Sequence, residues 1–442
     1  GDAFWLAAWW NGRPGPPPWL PAGLLAEGER LAAAAAAARQ DPAALADLAD
    51  LDRRSGPGSV LGGQIAAAVD LAGATTAEVL AVLAGESLLR HPFRLASGQL
   101  LRRLGSDWLL ADRVAPSGIS VRHALIETSE LAPLDMALEA ARHLAEVERR
   151  LGTATAPELV EDLYPRHVAP VAELLSRAEI LASGGGLIDP GAVGEVHAAA
   201  RRTLSSADDL LRRYADGGFP GCLPVWNVGR EVVAPLLREH GRVAVLLVDA
   251  LRADVAGRVV TQLTAALPGR RLERRWAVVP SPTRTAEAVA ALSCGHPVPA
   301  GSVSAAAGGD GAAAALGAPF AHLGYETAVV LGADRDHRSS EVRELWTSGP
   351  PVSVAIATGL DERLHRTSVE VAALLDEAVA TLERRVLPCL AALPGGVPLV
   401  VLADHGFREN PYWGHGPEGR YVHGGTSLEE CVIPVVVAAP VS

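Results

Sequence analysis

The sequence predicts an α/β protein: a doubly wound sheet with helices on both faces, preceded by an all-α domain. Two observations carry this. From Leu24 to about Leu211 apolar residues recur at three- and four-residue spacing. Beyond residue 228, short apolar runs alternate with helix-like stretches and turn residues. A third observation locates the chemistry. Several of those runs end in Asp, His or Thr, at the strand ends where an open α/β sheet presents its functional groups.

Composition sets the bounds. At 442 residues the chain is too long for one ordinary domain, and 49% hydrophobic residues leave ample apolar surface for sizeable cores. Thirty-nine basic and 51 acidic residues give a net charge of −12, which implies no bulk attraction to nucleic acid or an anionic membrane. Cys222, Cys294, Cys389 and Cys431 are scattered, without a C-x-x-C or a secretory signal pattern. That usage suits reduced thiols in a cytoplasmic protein. No apolar run approaches ~18 residues, so no membrane span is expected. The single methionine is Met136 and the first residue is Gly1, which reads as a piece of a longer polypeptide.

Taken in order, residues 1–21 hold Trp5, Trp9, Trp10, Trp19 and Pro16-Pro17-Pro18 and read as an irregular lead-in. Residues 22–228 read as a helical domain, with helical spacing over Val69–Leu83, Met136–Leu151 and Val171–Leu181. Asp41-Pro42, Gly62-Gly63 and Gly184-Gly185-Gly186 punctuate it, and Asp189-Pro190 supplies an N-cap with proline at the first helical position. Its apolar stripes read as helix–helix core, and its histidines (His91, His123, His143, His167, His197) show no ligand spacing. A turn-rich link around Asp216–Gly221 leads to residues 229–442. Strands are expected there at Val243–Val248, Trp276–Val279, Ala328–Leu331, Val352–Ala357, Leu399–Ala403 and Val432–Val437. Gly301–Ala318 interrupts this rhythm as a flexible insertion, since no G-x-x-x-x-G-K follows a strand.

Four of these segments deliver polar groups. The first strand ends in Asp249, followed by Arg252. Val279-Pro280-Ser281-Pro282-Thr283-Arg284-Thr285 leads into an alanine-rich helix that closes at Gly295. A hydroxyl in that place is ordinarily a cap, and it is also where a nucleophile gains from the helix dipole. Asp361 and His365 stand four apart, on one face of any helix through them, and Thr367 with Glu370 resembles a capping box. Finally come Asp404-His405-Gly406 and His423-Gly424-Gly425, with His415 between them. Taken singly, each is as well explained by a cap or a surface residue. Together they suit two divalent metals sharing a hydroxyl nucleophile. Carboxylate and imidazole without thiolate favour zinc, or else manganese.

Val248-Asp249-Ala250-Leu251-Arg252, Pro282-Thr283-Arg284-Thr285, Ala403-Asp404-His405-Gly406 and Tyr421-Val422-His423-Gly424-Gly425-Thr426-Ser427 make residues 240–440 resemble the alkaline phosphatase superfamily, and within it the PglZ domain family. The resemblance implies a metal-dependent phosphohydrolase, above all a phosphodiesterase, on an alkaline-phosphatase-like fold. It implies one metal site from Asp249, Thr285, Asp404 and His405 and a second from Asp361, His365 and His423. Thr285, ten residues before Gly295, is the implied nucleophile; Thr283 is the fallback and Ser281 a distant third. Cys294 lacks the surroundings of a sulfatase nucleophile. Arg252 or Arg284 would hold phosphate oxygens. The family further implies a place in a bacterial anti-phage (BREX, or Pgl) system beside other defence proteins, with a phosphoester substrate that could be a nucleotide or nucleic acid. The competing readings are a metal-binding scaffold without turnover and a phosphomutase on the same fold.

Overall fold

The computed structural model describes residues 75–84, 90–114, 128–216, 218–279, 283–299, 301–303, 318–410 and 420–441. The expectations for residues 1–21, Asp41-Pro42, Gly62-Gly63, Ser281 and His415 lie outside them. Two compact units emerge. One takes Val171–Thr203 with what is described up to and including Glu148; the other takes Arg149–Pro170 and the chain from Leu204 onward. The expected boundary at 228/229 falls inside the second unit.

Among the described residues before Asp216, all regular elements are helical. They include Arg90–Leu104, Thr128–Leu151, Ala169–Ser183 and Pro190–Asp216. The Asp189-Pro190 start is made as the sequence predicts, with the Gly191 N–H donating to Asp189 Oδ1 at 3.1 Å. His197 is buried and pairs through Nδ1 with Glu179 at 3.0 Å, the ordinary way a core imidazole is satisfied. No helix among the described residues is long and apolar enough to cross a membrane.

The second unit is built on a mixed seven-stranded sheet. In chain order its strands are β1 (Leu223–Pro224), β2 (Val243–Val248), β3 (Arg270–Val278), β4 (Thr327–Leu331), β5 (Val352–Ala357), β6 (Leu399–Ala403) and β9 (Val432–Pro440). A second, two-stranded sheet pairs β7 (Arg408–Glu409) antiparallel with β8 (Tyr421–Val422). The order is β1-β3-β9-β6-β2-β5-β4, and within it β9 alone runs against the others. β2, β5 and β6 are wholly buried, which is why they read as unbroken Val, Ile, Leu and Ala. Leu246 stands opposite Ala355 on one side and Val401 on the other, so the C-terminal ends of all three strands finish together.

Two local expectations change. β3 begins at Arg270, six residues before the expected Trp276, because the charged run Arg270–Arg275 pairs antiparallel along β9. Backbone pairing with a buried neighbour outweighs the composition of a half-exposed strand. Thr367 and Glu370 do not form a capping box. Thr367 Oγ1 accepts the Val369 N–H at 3.2 Å, and the Glu370 carboxylate binds Arg420. The capping box lies instead at Ser427 and Glu430, opening the short Leu428–Cys431 helix.

Candidate active site

The buried half of the site is assembled where β2 and β6 stop. The Asp249 N–H continues the ladder by donating to Ala357 O at 2.9 Å. Ala250 then turns the chain with φ +63°, the left-handed region. Its N–H donates to Asp404 Oδ1 at 3.1 Å, and the His405 N–H donates to the same oxygen at 3.0 Å. One carboxylate oxygen of Asp404 is thus fixed by two amides, while Oδ2 is buried without a hydrogen-bond partner. His405 Nδ1 lies 2.8 Å from Gly406 O, an oxygen that can only accept, so the proton sits on Nδ1 and the Nε2 lone pair faces the site. Gly406 is required at this corner, since a Cβ there would sit 2.0 Å from Glu429 O.

Thr285 is the first residue of the Thr285–Cys294 helix, which ends at left-handed Gly295. Its hydroxyl lies 3.0 Å from His405 Nε2 and 3.4 Å from Asp249 Oδ1. Thr283 is placed differently. It is fully buried, accepting from the Gly424 N–H at 3.0 Å and donating to Gly425 O at 3.3 Å. Its backbone carbonyl meets His423 Nδ1 at 3.2 Å, so Thr283 orients the late histidine loop.

The second half comes from the short Gly359–Leu364 helix, with His365 just past its end, and from the loop that follows β8. Asp361 Oδ1 stands 3.3 Å from His423 Nε2 and 3.5 Å from His365 Nε2, and the two Nε2 atoms are 3.2 Å apart. The His423 ring stacks on His405 with centroids 4.2 Å apart. Two donor groups result, each with ligand atoms within 4.8 Å of one another: Asp361, His365, His423 and Asp249, Asp361, His405. Asp361 belongs to both. The division implied by the sequence kept it on one side.

Charge explains why such a cluster wants a cation. Burial, then the neighbouring Asp404 and Asp361, push the Asp249 carboxyl well above its ordinary range. Burial would raise Asp361 as well, but His423, His405 and His365 outweigh it and hold that group low. Burial opposes charging of His423, yet its contact with Asp361 raises it above the usual histidine value. The partnerless Oδ2 of Asp404, the two inward-facing Nε2 atoms and an all-Asp/His donor set fit divalent metal ions.

The two arginines separate. Arg252 does not fit the phosphate role expected of it. It is buried, bonded to Asp254 at 2.7 and 3.2 Å, to Glu429 at 3.2 Å and to Phe407 O at 3.4 Å, with its guanidinium over the Phe407 ring. Its fork is spent holding the loops after β6 and β8 together. Arg284 is exposed beside Gly424 and immediately precedes Thr285.

The match to known families coincides with this geometry. Residues 228–412 match the family model of the BREX system PglZ alkaline phosphatase-like domain. Over this segment the chain is similar to a PglZ domain. No curated protein matches the chain. His423 lies beyond the matched segment, so its place in the cluster rests on its contacts with Asp361, His365 and His405.

Sequence reasoning missed three supports. Asp334, after β4, is buried and accepts the N–H groups of Thr358 and Gly359 at 3.2 and 2.9 Å, which fixes the start of the Asp361 helix. The strand-end signal that singled out Asp249 and Asp404 was present there too. Glu430 accepts from Gly425 N and Ser427 Oγ, at 2.8 and 2.7 Å. Asp208 and Arg212 reach Leu428 N and Thr426 Oγ1 at 2.9 and 3.0 Å, a long-range pairing with no local signal.

Proposed function

We propose that this protein is a metal-dependent phosphohydrolase, a phosphodiesterase that works through Thr285. The observation that carries the reading is the Thr285 hydroxyl lying 3.0 Å from His405 Nε2 and 3.4 Å from Asp249, at the start of a helix. Asp249, Asp404 and His405 would hold one ion and His365 and His423 the other, with Asp361 reaching both. Zinc suits these donors best and manganese next. Bound there, such ions supply Lewis acidity that favours the alkoxide form of Thr285 and offsets charge on the leaving oxygen.

The chain's own groups do the rest. Thr285 Oγ forms a bond to phosphorus as the bond to the leaving oxygen breaks, giving a phospho-threonine that water then releases. The positive end of the Thr285–Cys294 helix faces the developing charge. Arg284, exposed and adjacent, orients nonbridging phosphate oxygens. Membership in a BREX-type anti-phage assembly is what the family match suggests, and cytoplasmic placement and a nucleotide or nucleic-acid substrate belong to the same proposal. So does the division into a helical domain over residues 22–228 and a catalytic domain over 229–442.

Thr285→Ala is expected to abolish turnover of bis-p-nitrophenyl phosphate while bound metal, counted by mass spectrometry, stays unchanged. Full activity in that variant would remove Thr285 from the mechanism, and unaltered activity in Thr283→Ser is expected beside it.

A further inference from the structure

A cavity of about 430 Å3 opens at the C-terminal ends of β2, β4 and β5, and none of the metal-competent residues lines it. Its volume falls within the range of small-molecule sites. Val248, Ala357, Leu360, Ala378 and Leu382 give it an apolar floor. Arg335, Arg363, Arg366 and Arg385 converge on it from three different segments.

The Gly359–Leu364 helix separates this cavity from the candidate metal centre. At about 100° per residue, Asp361 and Arg363 leave this helix on nearly opposite sides, and Arg363 lines the cavity together with Leu360 and Glu362. The arginines are held loosely. Arg335 pairs with Glu362 at 2.6 Å and Arg363 with Glu377, and all four side chains are 42–50% exposed. Exposed pairs of this kind contribute little, so an incoming anion can displace Glu362 and Glu377 from their arginines. Arg366 is exposed, lines the cavity and has no side-chain partner among the described residues.

We propose that the cavity is a second ligand site, separate from the metal centre, that takes a nucleoside monophosphate. The planar guanidinium forks receive the phosphate, with Arg366 as the uncommitted donor. The apolar floor covers the base, and the Thr367 hydroxyl, which accepts the Val369 N–H, can donate to its polar edge or to the ribose. The proposal does not depend on Thr285 being a nucleophile.

Calorimetric titration of the full chain with AMP tests it. Native chain, Thr285→Ala and Asp404→Asn are expected to bind AMP alike once freed of metal. Arg366→Ser and Arg385→Ser should each weaken binding about tenfold. Arg366→Ser is the decisive variant, since that side chain supports nothing else, whereas Arg385 also donates to Asp334 O. Inorganic phosphate is expected to bind much more weakly than AMP. Absence of saturable AMP binding would overturn the proposal. So would binding that survives Arg366→Ser but is lost in Asp404→Asn, which would place the nucleotide on the metal centre. Phosphate binding as tight as that of AMP would overturn the nucleotide assignment.

Discussion

The two halves of the ligand cluster differ in how they are held. Asp404 and His405 have side chains 0% exposed and Asp249 10%, whereas Asp361, His423 and His365 are 19%, 16% and 51% exposed. The buried half sits on parallel strands whose register is fixed along β2, β5 and β6, and backbone amides aim its carboxylate. The open half sits on a six-residue helix and a turn, supported by Asp334, Thr283 and Glu430. A cluster built this way has one closely held pole and one more exposed pole that has more room to adjust.

Breaking the closely held pole should cost most. Asp404→Ala is expected to lower turnover of a chromogenic phosphodiester by about 1,000-fold or more, with loss of the buried ion in metal analysis. Next comes its prop. Arg252→Met leaves Asp254 and Glu429 without their guanidinium, and denaturant unfolding of metal-free protein should show about 3–5 kcal/mol less stability. In the open half, His365→Ala should weaken metal binding roughly ten- to a hundredfold and leave unfolding almost unchanged. Equal losses of metal from Asp404→Ala and His365→Ala would abolish the distinction between the halves.

The support of the late loop carries a pH signature. Burial lifts Asp208 from its ordinary 3.8 to about 7. Between those values the folded chain keeps a proton on Asp208 that the unfolded chain has lost, so this group's contribution to stability falls as pH rises from 4 to 7 and levels off above. Asp208→Asn retains an acceptor for the Leu428 N–H and removes that dependence. Its advantage over the native chain should grow from nothing near pH 4 to on the order of 2 kcal/mol at pH 8, measured by unfolding at each pH. The smallest effect is expected for Arg284→Met, within about 0.5 kcal/mol in stability, with its consequence confined to turnover.

Much of this was legible in advance, for identifiable reasons. β2, β5 and β6 are buried on both faces, so their sequences are continuous apolar runs and their bounds match the expected ones. The same runs ended in Asp249 and Asp404-His405, which is why those residues stood out. Arg252 misled because it too follows a strand end; nothing local distinguishes a fork aimed at substrate from one buried against Asp254 and Glu429. Thr367 and Glu370 carried the right spacing for a cap, but Arg420, fifty residues away, takes the glutamate.

The sequence by itself determined the kinds of groups available and the strand ends that carry them, because chain periodicity and composition are local properties. Tertiary structure alone decided that Asp361 reaches both donor groups, that Thr285 rather than Thr283 faces His405, and that Arg252 is interior. Those outcomes depend on which strands become neighbours and in what register, and that is set by the burial of the whole sheet rather than by any single segment.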